Sequence, residues 1–108
     1  MIHISHKQIE SHLIEKMNEA FKYGFDYDKI ELNIESFHEL GITDEKLGLL
    51  YFDITLSGTY IFNCGFQYGC YDFEIKLFDS NDNEIKFKLD ITNDELIDNL
   101  TNYFYECV

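Results

Sequence analysis

The chain has 108 residues, with 21 Asp and Glu against 8 Lys, no Arg and a net charge of −13, so phosphate backbones and anionic lipid headgroups both repel it. Its apolar content of 45%, including 10 Phe and 8 Tyr, suffices for one packed core and argues against wholesale disorder. That length has room for a single domain over residues 1–108, no apolar run approaches the ~20 residues of a membrane helix, and Met-Ile-His-Ile-Ser-His-Lys has no charged stretch leading into an apolar one, so no signal peptide is expected.

The first element predicted is a helix. Ser5 followed by Gln8 reads as a capping box, with Ile4 and Ile9 as its hydrophobic staple. Ile9, Leu13, Met17 and Phe21 then recur every fourth residue and are joined by Ile14 and Ala20, a single apolar stripe that Gly24 would end. The next stretch, 26–41, supports two readings. Ile30, Leu32 and Ile34 alternate with Glu31, Asn33 and Glu35 as in a half-buried strand, whereas Asp28 with Glu31 and the spacing of Tyr27, Ile30, Ile34 and Phe37 suit a helix. A helix would leave Leu32 in solvent among acids, so the reading taken is a strand over 29–35 and a short helical turn near 36–40.

Leu50, Phe52, Ile54 and Leu56 alternate with Tyr51, Asp53 and Thr55, which predicts a strand. Ser57-Gly58 reads as a hairpin turn, and Tyr60, Phe62 and Cys64 as the return strand. A loop follows over Gly65-Phe66-Gln67-Tyr68-Gly69, then a strand with Tyr71, Phe73, Ile75 and Leu77 on one face. Asp79 to Asn83 is a turn of side chains that bond their own backbone. A further strand places Ile85, Phe87, Leu89 and Ile91 inward and Glu84, Lys86, Lys88 and Asp90 outward. Thr92 with Glu95 is a second capping box, stapled by Ile91 and Leu96, and Leu96, Ile97, Leu100, Tyr103 and Phe104 form the stripe of a final helix over 93–105. Sequential hairpins flanked by two one-sided helices give an α+β class: a two-layer sandwich, with a largely antiparallel sheet of four to five strands covered by an N-terminal and a C-terminal helix.

Patterns that carry chemistry are incomplete. Asp79, Asn81, Asn83 and Asp90 have the spacing of calcium-loop oxygens, but Glu84 stands where that loop needs Gly. Cys64 and Cys70 lie far from His3, His6, His12 and His38, so no zinc quartet is spaced out, and free Cys is commonly a small core hydrophobe. Ser57 is not in a nucleophile elbow, and a thiolate finds no positive neighbourhood in so acidic a chain. The Gly65–Gly69 segment carries Phe66 and Tyr68, too bulky for a phosphate cradle. The expectation is therefore no catalytic residue, no metal and no cofactor. Cys64, Cys70 and Cys107 are an odd set, read as reduced thiols of a cytoplasmic protein.

Charge distribution and exposed Tyr point instead to a protein partner. Residues 25–48 and 73–108 hold most of the negative charge, and Asp94 and Asp98 stand one helical turn apart. Self-repulsion of this kind destabilises a compact chain, so a one-signed surface suits a basic partner. The residues assigned to that contact are Asp26, Asp28, Glu31, Glu35, Glu39, Asp79, Asp82, Glu84, Asp94, Glu95 and Asp98, with Tyr68 and Tyr105 as aromatic anchors. The expected partner is a nuclease or other nucleic-acid-binding protein whose groove awaits phosphates, with no direct binding of nucleic acid or membrane and with a homo-oligomer left open. In composition the chain is similar to phage anti-defence proteins, such as anti-CRISPR and anti-restriction proteins, and to bacterial immunity proteins. That likeness implies a non-enzymatic inhibitor acting by nucleic-acid mimicry in a bacterial host cytosol. The alternatives are an immunity protein or antitoxin against a nuclease toxin, and a small structural or adaptor protein.

Overall fold

In the computed structural model, which describes residues 1–24, 27–62 and 64–106 (backbone alone at 67–69, 105 and 106), a short strand precedes the first helix: β1 (Ile2–Ile4), then α1 (Lys7–Phe21). The predicted stripe is the buried face of α1, with Ile9, Leu13 and Met17 fully enclosed and Phe21 half-buried. Gly24, at φ 84°, ends the segment as expected. The Ser5–Gln8 box does not form. The N-cap position is His6, whose N–H donates to Asp90 Oδ1 at 2.9 Å, while Ser5 Oγ only accepts the Lys7 N–H at 3.3 Å. A carboxylate from the far end of the chain thus serves the helix N-terminus, where the helix dipole favours negative charge.

Three long strands follow: β2 (Lys29–Asp44), β3 (Gly48–Ile61) and β4 (Gly65–Asp79), in an antiparallel sheet of order β2-β3-β4. The strand reading of 29–35 holds, and Leu32 is buried. The helical turn near 36–40 is a bulge instead. Phe37 pairs with Asp53 and Leu40 with Phe52, so His38 and Glu39 are extra residues on β2, with His38 at φ 61°. Inserting two residues keeps the two-residue side-chain period, so Leu40 and Ile42 still turn to the core side.

Ser57-Gly58 is not a turn, and the segment from Gly48 to Ile61 is one continuous strand. Gly58, at φ 153°, lies where β4 presses on β3, and a Cβ there would stand 2.8 Å from the Cys70 carbonyl oxygen. The expected loop at Gly65–Gly69 is the start of β4. Tyr60 pairs with Phe66 and Gly58 with Tyr71, so residues 67–70 bulge opposite a single β3 residue. The hairpin turns are at Glu45–Leu47, where Asp44 Oδ2 accepts the N–H groups of Lys46 and Leu47 at 2.9 Å each, and after Ile61, whose carbonyl accepts the Cys64 N–H at 2.9 Å.

The expected last strand of the same sheet is shorter and differently paired. After the Asp79 turn, Ile85 N–H donates to Leu77 C=O at 2.8 Å, and then β5 (Phe87–Leu89) runs parallel to β1 as a separate two-stranded sheet. The C-terminal helix α2 (Asn93–Glu106) starts at the capping box read from sequence: Glu95 N–H donates to Thr92 Oγ1 at 3.1 Å, and Thr92 Oγ1–H to Glu95 Oε1 at 3.1 Å. Leu96, Ile97, Leu100 and Phe104 are buried, while Tyr103 lies on the exposed side.

The class is α+β, with α1 packed on β2, α2 on β4, and the helices against each other. Phe21, Tyr60, Phe66 and Phe104 lock both helices to one end of the sheet, with Phe21–Phe104 centroids 4.9 Å apart and Tyr60–Phe66 5.4 Å. The molecule is elongated, 48 × 23 × 23 Å, because three strands of 14 to 16 residues set its long axis. No described helix is long and apolar enough to cross a membrane.

Candidate functional site

Helices and the β1–β5 pair cover only one face of the long sheet. Alternation sends Leu32, Ile34, Phe52, Ile54, Leu56 and Leu77 into that covered side. The same alternation sends every other residue to the opposite face, which no described element covers. Pairing sets its rows across β2, β3 and β4: Asn33–Ser57–Asp72, then Glu35–Thr55–Glu74, then Phe37–Asp53–Lys76, with Glu31 opposite Thr59 before them. The middle strand contributes Thr59, Ser57 and Thr55, with Asp53 beyond them, and the outer strands contribute acids. The result is a trough with carboxylate banks: Glu35 and Glu74 flank Thr55 two strand spacings apart, about 10 Å. Two cations lie on this face, Lys29 at one end and Lys76, whose Nζ is 3.1 Å from Glu74 Oε1 and whose pKa that carboxylate raises.

At the far end of the trough is an aromatic group. His38, pushed out by the bulge, packs edge-on against Tyr51 and Phe78 at centroid distances of 5.3 and 6.1 Å. Its Nε2 lies 3.6 Å from Asp53 Oδ1 and 3.9 Å from Asp82 Oδ1, while Phe37 beside it is 54% exposed.

The assigned partner-binding residues divide among several places. Glu31 and Glu35 are on the open face, where Glu31 accepts the Thr59 hydroxyl at 2.6 Å. Asp28 is exposed at the entry to β2, and Asp82 and Glu84 are exposed after β4. Asp79 is a turn scaffold: its Oδ1 accepts the N–H groups of Asn83 and Asn81, and these hold its carboxyl below the ordinary range against the opposing effect of burial. Asp94, Glu95 and Asp98 lie at the start of α2, with Glu95 in the capping box and Asp94 accepting the Tyr71 hydroxyl. Asp26 and the side chains of Tyr68 and Tyr105 lie outside the described residues, as does Cys107. Tyr51 is on the open face and half-buried. Asp53, Asp72 and Glu74 belong to the trough but not to the contact expected from sequence, although strict alternation along 50–56 and 71–77 places them outward.

Glu39 is engaged within the chain. It accepts from Lys16 Nζ at 3.1 Å, and Ser36, then Lys16, lower its pKa. Ser36 is fully buried, and His12 Nε2 stands 2.7 Å from its Oγ. The two share a hydrogen bond whose donor is set by the imidazole tautomer. Burial, then Lys16, lowers the His12 pKa. Ser, His and Glu come together here, yet the acid approaches the same imidazole nitrogen as the serine, and the enclosed hydroxyl has no approach for a substrate.

The calcium-like spacing is also absorbed by the scaffold, since Asp90 is bound by His6, whose Nδ1 lies 2.9 Å from Asp90 Oδ1. Among the described residues no group of three or more His, Cys, Asp or Glu is placed to hold a metal. Cys64 and Cys70 are free and exposed rather than core hydrophobes. Comparison with protein-family models, with curated proteins and with solved structures finds no match.

Proposed function

We propose that the chain is a non-enzymatic, stoichiometric inhibitor that binds a basic, nucleic-acid-handling protein through the open face of its sheet. The observation that carries this reading is the uncovered trough, a rigid three-stranded surface with Glu31, Glu35, Asp53, Asp72 and Glu74. Charge sign supports mimicry of nucleic acid. The face sets those five carboxylates against Lys29 and Lys76, an excess of three negative charges, and so attracts cationic side chains of the kind that ordinarily meet phosphates. Repulsion between Glu35 and Glu74 acts over about one screening length at 0.1 M salt, so a cationic partner relieves it. A phage anti-defence protein and a nuclease-immunity protein or antitoxin would use the same contact. Exposed, free Cys64 and Cys70 suit the reducing cytoplasm in which such partners work.

The test is capture of the partner at low salt, followed by assay of its nucleic-acid activity. The expected complex has a fixed molar ratio, is displaced by competing nucleic acid, and is lost with the double reversal Glu35→Lys/Glu74→Lys. An acidic partner, a complex indifferent to salt and charge reversal, or a covalently altered target would overturn the proposal.

A further inference from the structure

Among the described residues, one buried side-chain polar atom has no hydrogen bond, and it belongs to this face. Asp53 stands on the central strand, its side chain one-quarter exposed, and its Oδ1 is buried with no hydrogen-bond partner. His38 Nε2, at 3.6 Å, is outside hydrogen-bond range. Buried carboxylate oxygens are ordinarily paired, because an unserved one keeps its full desolvation penalty. Beside it lies a depression of about 220 Å³ lined by Phe37, Thr55, Glu74, Lys76 and Phe78.

We infer that this depression anchors an arginine side chain of the partner. The inference rests on the basic-partner reading above and adds to it the identity of the anchoring group. A guanidinium is planar, presents a fork of donors to carboxylates, and stacks on aromatic faces, whereas an ammonium is a compact, strongly hydrated point charge. The depression offers a matched set of features: Asp53 and Glu74 as acceptors, and Phe37 and Phe78 as aromatic surfaces. Its resident cation is a lysine of the chain itself. Lys76 is half-exposed and held by Glu74, so an entering guanidinium displaces the ammonium to solvent and takes Glu74 first, and it reaches the enclosed Asp53 Oδ1 as the side chains around it move aside.

The test compares deca-arginine with deca-lysine, titrated at low salt into the full chain, with affinity read by calorimetry and contacts by amide chemical shifts. Arginine is expected to bind about tenfold tighter or more, as one charge-assisted hydrogen bond implies, with shifts at Phe37, Asp53 and Phe78. Asp53→Asn and Phe37→Ala should each remove the preference, and the exposure of Phe37 keeps the second variant folded. Lys76→Ala should strengthen arginine binding, because it removes the internal competitor. Equal affinity for the two peptides, unchanged by Asp53→Asn, overturns the arginine anchor and leaves the basic-partner reading standing. Failure of both peptides to bind overturns the two together.

Discussion

Single residues decide where this sheet can bend and how it responds to acid. Gly58 combines a positive φ with a Cβ position 2.8 Å from a backbone carbonyl, whereas Gly24, at φ 84°, has open space around it. Gly58→Ala should therefore cost about 1–3 kcal/mol or more, and Gly24→Ala only the backbone strain of about 1–2 kcal/mol. Urea unfolding of the two variants side by side checks this, and equal losses would contradict the close approach of β4. His12 supplies a pH dependence. Its pKa is lowered in the folded chain, so below its unfolded value of about 6.5 the unfolded state takes up a proton that the folded state resists. Stability should fall as pH drops from about 6.5 through the folded pKa, and His12→Gln should flatten that slope in denaturant titrations run across the range. Asp90 acts lower on the scale: burial raises its pKa, but the bonds from His6 outweigh burial and hold it down. Its contribution is present above its unfolded pKa and is lost as pH falls through the folded one.

At the scale of elements, the two helix starts look alike in sequence and differ in the fold. Thr92 and Glu95 exchange hydrogen bonds, so Thr92→Ala should cost about 0.5–2 kcal/mol. Ser5 caps nothing at the N3 position and accepts only the Lys7 N–H, while Asp90 serves the His6 N–H from 84 residues away, so Ser5→Ala should stay within about 0.5 kcal/mol. Thermal melts of the two alanine variants give the comparison directly. Capping boxes are local patterns, and a local pattern cannot register a competing carboxylate delivered by another strand. The same reasoning covers Ser57-Gly58, where a common turn dipeptide is overridden because both residues pair with β2 and β4 at once. The turn at 44–48 carries a local signal of its own: Asp44 bonds the next backbone N–H groups and Gly48 takes φ 78°.

Across the whole molecule, net charge acts on stability and on binding with opposite sign. Screening relieves self-repulsion in the free chain and weakens attraction to a cationic partner. Raising salt from about 0.01 to 0.15 M, where the screening length falls from about 30 to 8 Å, should therefore raise the melting temperature of the free protein while loosening its complex. Glu35→Lys/Glu74→Lys should show the same split: an unchanged or higher melting temperature together with slower association, more than faster dissociation. A parallel rise or fall of both quantities would remove the electrostatic account.

The sequence by itself determined the period of most of the elements: the four-residue stripe of α1, the two-residue alternation of 29–35, 50–56 and 71–77, the Asp79 turn and the Thr92 cap. These are local, because side-chain direction follows backbone geometry within a few residues. It also determined the sign of the surface. Only the tertiary structure decided which acids share a face, because Glu35 and Glu74 are brought to one row by the register of two hairpins. It alone paired β1 with β5 in parallel, gave Asp90 to the start of α1, and left Asp53 Oδ1 unserved on a face that both helices pass by. Each of these depends on contacts between residues distant in the chain, and hydrophobic periodicity carries no record of which distant element supplies the contact.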